Sequence, residues 1–323
     1  MSRVLSGIQP SGTLHIGNYF AMMEPMISFQ ENHDLFCFIV NYHALTSIHD
    51  SESLKHNTLQ AAIDFLALGL DPEKCHFWVQ SDVPEVTELT WILACHTSLG
   101  LLERSHSYKD KVAKGVTPNS GLYTYPILMA ADILLYQSEV IPVGKDQKQH
   151  IEITRDIAER FNNTYGETFV IPEPLINDDL AVIPGVDGQK MSKSYNNTIN
   201  IFEEEKPLKK KVMGIVTDST PVEEPKDPDK CNVFALYSLF ADETAKQEMR
   251  QKYLEGGLGY GTAKKELFAL IWEYFKPFRE RRAELASRPD DIVDIMKKGA
   301  EKTRTTAAET LDMVKDRIGL KYY

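Results

Sequence analysis

Short β-rich runs alternate with longer stretches of helical pattern through the first half of the chain, and this alternation restricts the possible folds most. The runs are Val4 to Ile8, Leu35 to Asn41, His76 to Gln80 and Val140 to Val143, with helices expected from about Gly17 and from Ser51 to Leu68. Such a series implies βαβ units and an α/β fold, a doubly wound parallel sheet with helices on both faces. Ligands of such sheets bind outside the carboxyl ends of the strands. The places to look for chemistry are therefore Gly7 to Asn18, Asn41 to Thr46 and Gly144 to Gln147.

From about Phe202 the β pattern fades. Apolar positions recur at helical spacing in Val233 to Phe240, Leu267 to Phe278 and Ile292 to Met296, which predicts an all-helical C-terminal domain. The expected boundary places a sheet domain at 1–200 and a helical domain at 201–323, with the terminal helix able to return to the first. A chain of 323 residues, 42% apolar and 26% charged, is long enough for two cores. No apolar run approaches the roughly 20 residues of a bilayer span, and the N-terminus lacks a signal-peptide apolar region, so a cytoplasmic protein without a membrane partner is expected. The net charge of −11 argues against a protein that grips nucleic acid over its whole surface, and DNA is not an expected partner. Any RNA contact must be local, at clusters such as Lys209 to Lys211 or Arg279, Arg281 and Arg282, each of which is also read simply as a solvated helix face. Cys37, Cys75, Cys95 and Cys231 are widely spaced and read as reduced core thiols.

Four stretches carry chemistry. Ser6 to Asn18 lies between the first strand and the first helix; its glycines let a ligand approach the backbone, and His15 and Asn18 can reach phosphate oxygens. Alone it is equally a turn with a helix cap. Lys190-Met191-Ser192-Lys193-Ser194 sets two ammonium groups three residues apart, in a Gly-, Pro-, Asn- and Ser-rich stretch from Ile183 to Asn197 expected to be a mobile surface loop. Such lysines can neutralise charge on a departing pyrophosphate. Tyr123 to Tyr136 puts Tyr125, Met129 and Asp132 at i, i+4 and i+7, on one helix face. A lone carboxylate on an apolar stripe needs a partner, either a ligand or, as a structural acid, the backbone or Arg104. Pro142 to His150 passes from a strand end into a helix, where Asp146 is also read as a helix cap.

The first two stretches together resemble the signatures of the class I aminoacyl-tRNA synthetases, whose Rossmann-like catalytic domain the predicted sheet would match. Asn18 stands where many members have a second histidine, as in tryptophanyl relatives. The third stretch resembles the tryptophanyl family's specificity helix, in which an aspartate accepts the indole N–H and a methionine packs on the ring; tyrosyl enzymes usually have glutamine near the position of Met129. The resemblance implies catalytic roles for His15, Asn18, Lys190 and Lys193. It implies ATP binding by Gln9, Pro10, Ser11, Gly17, Asn18, Gly144, Lys145, Asp146, Ile183, Lys190, Met191, Ser192, Lys193 and Ser194. For tryptophan it implies Leu5, Gly7, His43, Tyr125, Met129, Asp132, Val143 and Gln147. Two departures stand out: Lys145 replaces a commonly acidic residue, and Leu5 replaces an aromatic one beside the indole pocket.

The reaction implied by the resemblance is that of a tryptophan–tRNA ligase: L-tryptophan and ATP, with Mg²⁺, give tryptophanyl-adenylate and pyrophosphate, and the acyl group passes to the 3′-terminal adenosine of tRNA(Trp). The helical end would read the anticodon, and a homodimer is implied. Some relatives carry an iron–sulfur cluster on four cysteines of the helical domain; Cys231 stands alone there, so none is expected. The alternatives are a tyrosyl-tRNA synthetase and a small-molecule adenylyltransferase.

Overall fold

In the computed structural model, the described residues are 1–10, 12–104, 119–176 and 183–323, with the side chain of Asp146 outside the description. They contain five parallel strands in one sheet: β1 (Arg3–Ile8), β2 (Asp34–Ile39), β3 (His76–Val79), β4 (Val140–Pro142) and β5 (Glu173–Leu175), ordered β3-β2-β1-β4-β5. The order runs outward in one direction from β1 to β3 and in the other from β4 to β5. The reversal falls between β1 and β4, and at that crevice a sheet of this kind binds its ligands. The alternation in sequence thus corresponds to a Rossmann-like α/β fold. β5 has no counterpart among the predicted strands. Its three residues Glu-Pro-Leu are mostly exposed, and an edge strand needs no apolar run and tolerates proline.

Between β1 and β2 lie α1 (Ile16–Asn18), a π-helical turn at Tyr19–Met23 and α2 (Glu24–Ser28), so the helix expected from Gly17 is irregular. Next come α3 (Asn41–Ala44) and α4 (Ser51–Ala67), then α5 (Glu85–His96) and α6 (Leu99–Glu103) after β3, then α7 (Ser120–Leu135) before β4 and α8 (Lys148–Tyr165) after it. The described residues beyond 202 contain no strand: α9 (Glu205–Met213), α10 (Asn232–Tyr237), α11 (Glu243–Glu255), α12 (Tyr260–Tyr274), α13 (Lys276–Ala286) and α14 (Pro289–Arg317) make up the helical end.

By compactness the chain divides elsewhere than at residue 200. One unit is Met1–Gly12, Met26–Asp178 and Leu285–Tyr323; the other is Thr13–Pro25 and Asp179–Glu284. The lysine stretch and the start of the first helix therefore count with the helical unit, and α14 counts with the sheet. The return of α14 was allowed for in the sequence; linear order hides the grouping of the lysine stretch with the start of the first helix, because that depends on which distant segments pair.

Within the sheet unit, Phe38 stacks on Trp78 with centroids 4.9 Å apart, and Phe36 and Tyr136 close around the same indole. Each such fully buried side chain contributes about 2 kcal/mol. α7 is buried over most of its turns, from Leu122 to Leu135, which is how a helix apolar on nearly every face must sit. α14 buries Ile292, Met296, Ala300, Thr303, Ala307, Leu311 and Val314, one stripe at helical spacing. Its Gly299 lies so near the outer strand β3 that a Cβ there would stand 1.7 Å from the Phe77 carbonyl oxygen. Three of the four cysteines are buried, as read from their neighbours; Cys95 instead faces outward from α5 and is exposed.

Candidate active site

In the helical unit, His15 caps α1. Its Nδ1 accepts the Asn18 N–H at 3.2 Å, and the Asn18 Oδ1 accepts the His15 N–H at 3.3 Å, a reciprocal box satisfying two backbone donors. With Nδ1 occupied as an acceptor, the ring proton belongs on Nε2. His15 is buried, and desolvation together with the Lys193 charge lowers its pKa to about 4. It is a neutral hydrogen-bonding group at neutral pH. At Gly17 a Cβ would press on the His15 ring at 3.0 Å, so a side chain there would push the ring aside.

The residues after the lysine stretch run back alongside this motif. Ile16 N–H donates to the Ile199 carbonyl at 2.9 Å, and Ile201 N–H to the Leu14 carbonyl at 3.2 Å. Gly17 N–H points at the Met191 Sδ, 3.4 Å away, and Met191 is buried. Two motifs about 175 positions apart are thus brought into contact within one unit. Lys190, Lys193 and Ser194 stay exposed, and Ser192 and Ser194 hydroxyls lie 2.8 Å apart.

Hydrogen bonds run through the stretch expected to be a mobile surface loop. Met191 N–H reaches the Ile183 carbonyl at 2.9 Å, Gly185 N–H reaches Gln189 at 2.7 Å, and Gly188 turns the chain at φ +82°. Asn197, 1% exposed, ties the segment together: its Oδ1 accepts the Ser192 N–H at 2.7 Å, while its Nδ2 donates to Asp187 Oδ1 at 2.8 Å and to the Lys190 carbonyl at 3.1 Å. Both side-chain atoms are satisfied inside the fold, where a buried amide left open would cost about 1–3 kcal/mol.

The sheet unit holds the other group. Asp132 of α7 is 3% exposed, and its partners are His43 and Gln80 rather than the backbone or Arg104: His43 Nε2 lies 2.9 Å from Oδ2, and Gln80 Nε2 donates at 2.8 and 2.9 Å to the two oxygens. Burial raises the Asp132 pKa, and the bonds from His43 and Gln80 pull against that rise. Arg104 offers its backbone carbonyl to the Gln149 side chain. Tyr125 and Met129 are half-buried on the same helix, with the Tyr125 ring edge-on to His43 and its hydroxyl 2.6 Å from His150 Nε2. A cavity of about 340 Å³ opens on the His43 and Tyr125 side, lined also by Tyr42, Thr46, Thr90 and Leu128.

At the strand ends, Leu5 is buried on β1, and a Cβ at Gly7 would stand 2.7 Å from Val40 Cγ1. Val143 is half-buried and donates its N–H to the Leu175 carbonyl at 3.1 Å; Gly144 caps the turn Lys145–Gln147. Gln147, not Asp146, is the capping position of α8, and it makes no side-chain cap bond. Gln9 and Pro10 line a separate recess of about 240 Å³ with Ala44, Ser47, Ile48 and Asn57. Ile183 is buried. Ser11 lies outside the described residues. Gln80 and Asn197 went unnoticed in the sequence because isolated amides carry no spacing pattern.

A sheet whose strand order reverses, a buried carboxylate held by residues from its strand ends, and a His-Ile-Gly-Asn helix start bonded to a lysine loop are the makings of a nucleotide-using ligase of the class I type. The chain belongs to the class I tRNA synthetases of the tryptophan and tyrosine family, which match it over residues 1–276. Its relatives are tryptophan–tRNA ligases: that of Fusobacterium nucleatum is 57% identical over 321 residues, 99% of this chain and 98% of that one, and that of Rhodopirellula baltica is 52% identical over 99% of this chain and 100% of that one. Among solved structures, the Campylobacter jejuni tryptophanyl-tRNA synthetase complexed with ADP and tryptophan superposes with a TM-score of 0.95 at 54% identity, covering 98% of this chain and 99% of that one.

Proposed function

We propose that this chain is a tryptophan–tRNA ligase that joins L-tryptophan to ATP as tryptophanyl-adenylate, releasing pyrophosphate, and then passes the acyl group to the 3′-terminal adenosine of tRNA(Trp), releasing AMP. The observation that carries the amino-acid assignment is Asp132, a buried carboxylate on an apolar helix face beside Tyr125 and Met129. An indole nitrogen can only donate and a carboxylate can only accept, so the pair is complementary. Full-length likeness to tryptophan ligases at 52–57% identity supports the same choice over the tyrosyl and adenylyltransferase readings.

The tryptophan carboxylate is already a nucleophile, so catalysis rests on orientation and on neutralising charge at the α-phosphate and the departing pyrophosphate. Tyr125 and Gln147 hold the substrate ammonium, with Met129, His43, Leu5, Gly7 and Val143 around the ring. Gln9, Pro10, Ser11, Gly17, Gly144, Lys145, Asp146 and Ile183 bind the nucleotide, Asp146 through ribose hydroxyls. His15 and Asn18 donate to phosphate oxygens; Lys190 and Lys193 supply cations, and Met191, Ser192 and Ser194 complete that segment. Magnesium comes with the triphosphate, since phosphates and water are its usual ligands.

The helical end at 201–323 contributes the tRNA contacts. The exposed Trp91 and Leu99 give a second copy an apolar surface to cover, and the working form is a cytoplasmic homodimer. ATP–pyrophosphate exchange with each of the twenty amino acids tests the assignment. Only tryptophan is expected to support exchange, and robust exchange with tyrosine would overturn it.

A further inference from the structure

Gln80 sits where β3 ends and the chain enters the 3₁₀ turn Gln80–Asp82, and it is 1% exposed. Its two amide atoms face different ways. Nε2 donates to both Asp132 oxygens, at 2.8 and 2.9 Å, while Oε1 accepts the Tyr42 backbone N–H at 3.0 Å. The turn is clamped to α3 by a reciprocal pair, Asn41 Nδ2 to Ser81 Oγ at 2.8 Å and Ser81 N–H to Asn41 Oδ1 at 3.1 Å. A flipped amide would set oxygen against carboxylate and NH₂ against N–H, exchanging bonds for repulsions in a buried place. The backbone of α3 therefore dictates that Asp132 is always met by a donor.

We propose that Gln80 is a positioning residue for tryptophan recognition, holding the Asp132 carboxylate ionised and turned so that a remaining lone pair accepts the indole N–H. The proposal rests on the reading of Asp132 as the indole receptor. Burial alone favours the protonated acid, and a protonated acid would present an O–H that an indole nitrogen cannot accept but a phenol oxygen can. Gln80 thus acts on selectivity without touching substrate. His43 from α3 and Tyr136 from the end of α7 are the other titratable groups facing this carboxylate among the described residues, with Glu85 of α5 facing Tyr136.

Two variants of the full chain test this in ATP–pyrophosphate exchange from roughly pH 6 to 9. Gln80→Met removes the donor. It is expected to raise the tryptophan KM at least about tenfold near neutrality, the loss shrinking as pH rises and Asp132 ionises unaided, with the ATP KM and kcat within about threefold of the parent. Gln80→Glu keeps an acceptor for the Tyr42 N–H. Its carboxylic acid can still donate to Asp132 while protonated, so its tryptophan KM should lie near the parent value at the acid end and worsen as pH rises, the opposite trend. If the methionine variant does not fold, the isosteric glutamate variant carries the test. Tryptophan KM values that stay at the parent level, or pH-independent losses shared equally by KM and kcat, would overturn the proposal. Asp132→Ala separates this from the underlying reading, using the tryptophan analogue with sulfur in place of the ring N–H. If that variant still prefers tryptophan as the parent does, the receptor assignment itself fails; if it loses the preference while the Gln80 variants lack opposite pH trends, only the role of Gln80 fails.

Discussion

His15 and Lys193 show how two neighbouring residues divide electrostatic work. Lys193 is exposed and its charge helps push the buried His15 pKa down to about 4, so the imidazole offers an N–H but no charge at neutral pH. Asn18 offers none either. On the proposed reading, positive charge near the leaving group comes from Lys190, Lys193 and the magnesium bound with the triphosphate, and Lys193→Ala is expected to slow adenylate formation about a hundredfold while tryptophan KM changes little. Single-turnover adenylate formation beside tryptophan binding measures the split. Equal losses in both would remove the leaving-group role. At this scale the sequence was most legible for polar residues in a tetrad or pentad, and least for single amides such as Gln80 and Asn197, whose meaning lies entirely in what they touch.

Among the elements, α14 and β3 form the most demanding contact. Helix and strand approach so closely at Gly299 and Phe77 that only hydrogen fits, while Arg304 reaches Glu85 at 2.7 Å and Lys315 reaches Glu88 at 2.8 Å further along the helix. Those exposed ion pairs contribute little individually. The backbone fit dominates, so Gly299→Ala should cost about 2–4 kcal/mol and lower the melting temperature by roughly 5 °C or more, even though alanine is the better helix former. An unchanged melting temperature would show that α14 can lift away without penalty. The apolar stripe around Ile292 to Met296 revealed the helix in the sequence. Its return to the sheet domain was among the expectations, but not the strand it lands on, because the same stripe fits many surfaces and a single glycine carries no pattern that selects one.

Across the whole molecule, acid should act through two buried imidazoles, one in each unit. Burial and nearby cations lower both His15 and His76 to about 4, while an unfolded histidine titrates near 6.5. Between those values the unfolded chain binds more protons than the folded one. The stability they contribute is complete above about pH 6.5 and is lost as pH falls through 4, a few kcal/mol for the two together. Asp132 and Asp82, whose pKa values are raised by burial, work in the opposite sense. Urea denaturation at roughly pH 7.5 and pH 5 should give the lower midpoint at pH 5; a midpoint that does not fall would show that the histidines are not buried as neutral groups.

By itself the order of residues determined the parallel α/β sheet, the helical end, the two nucleotide-type motifs and the acid at Asp132, because each is written in local periodicity or in a short run of distinctive chemistry. Only the tertiary structure decided that the lysine stretch belongs with the start of the first helix, that a three-residue edge strand completes the sheet, and that Gln80 and His43 rather than Arg104 meet the buried acid. Those outcomes depend on backbone pairings and burial between segments scores of positions apart, and neither leaves a repeating pattern along the chain.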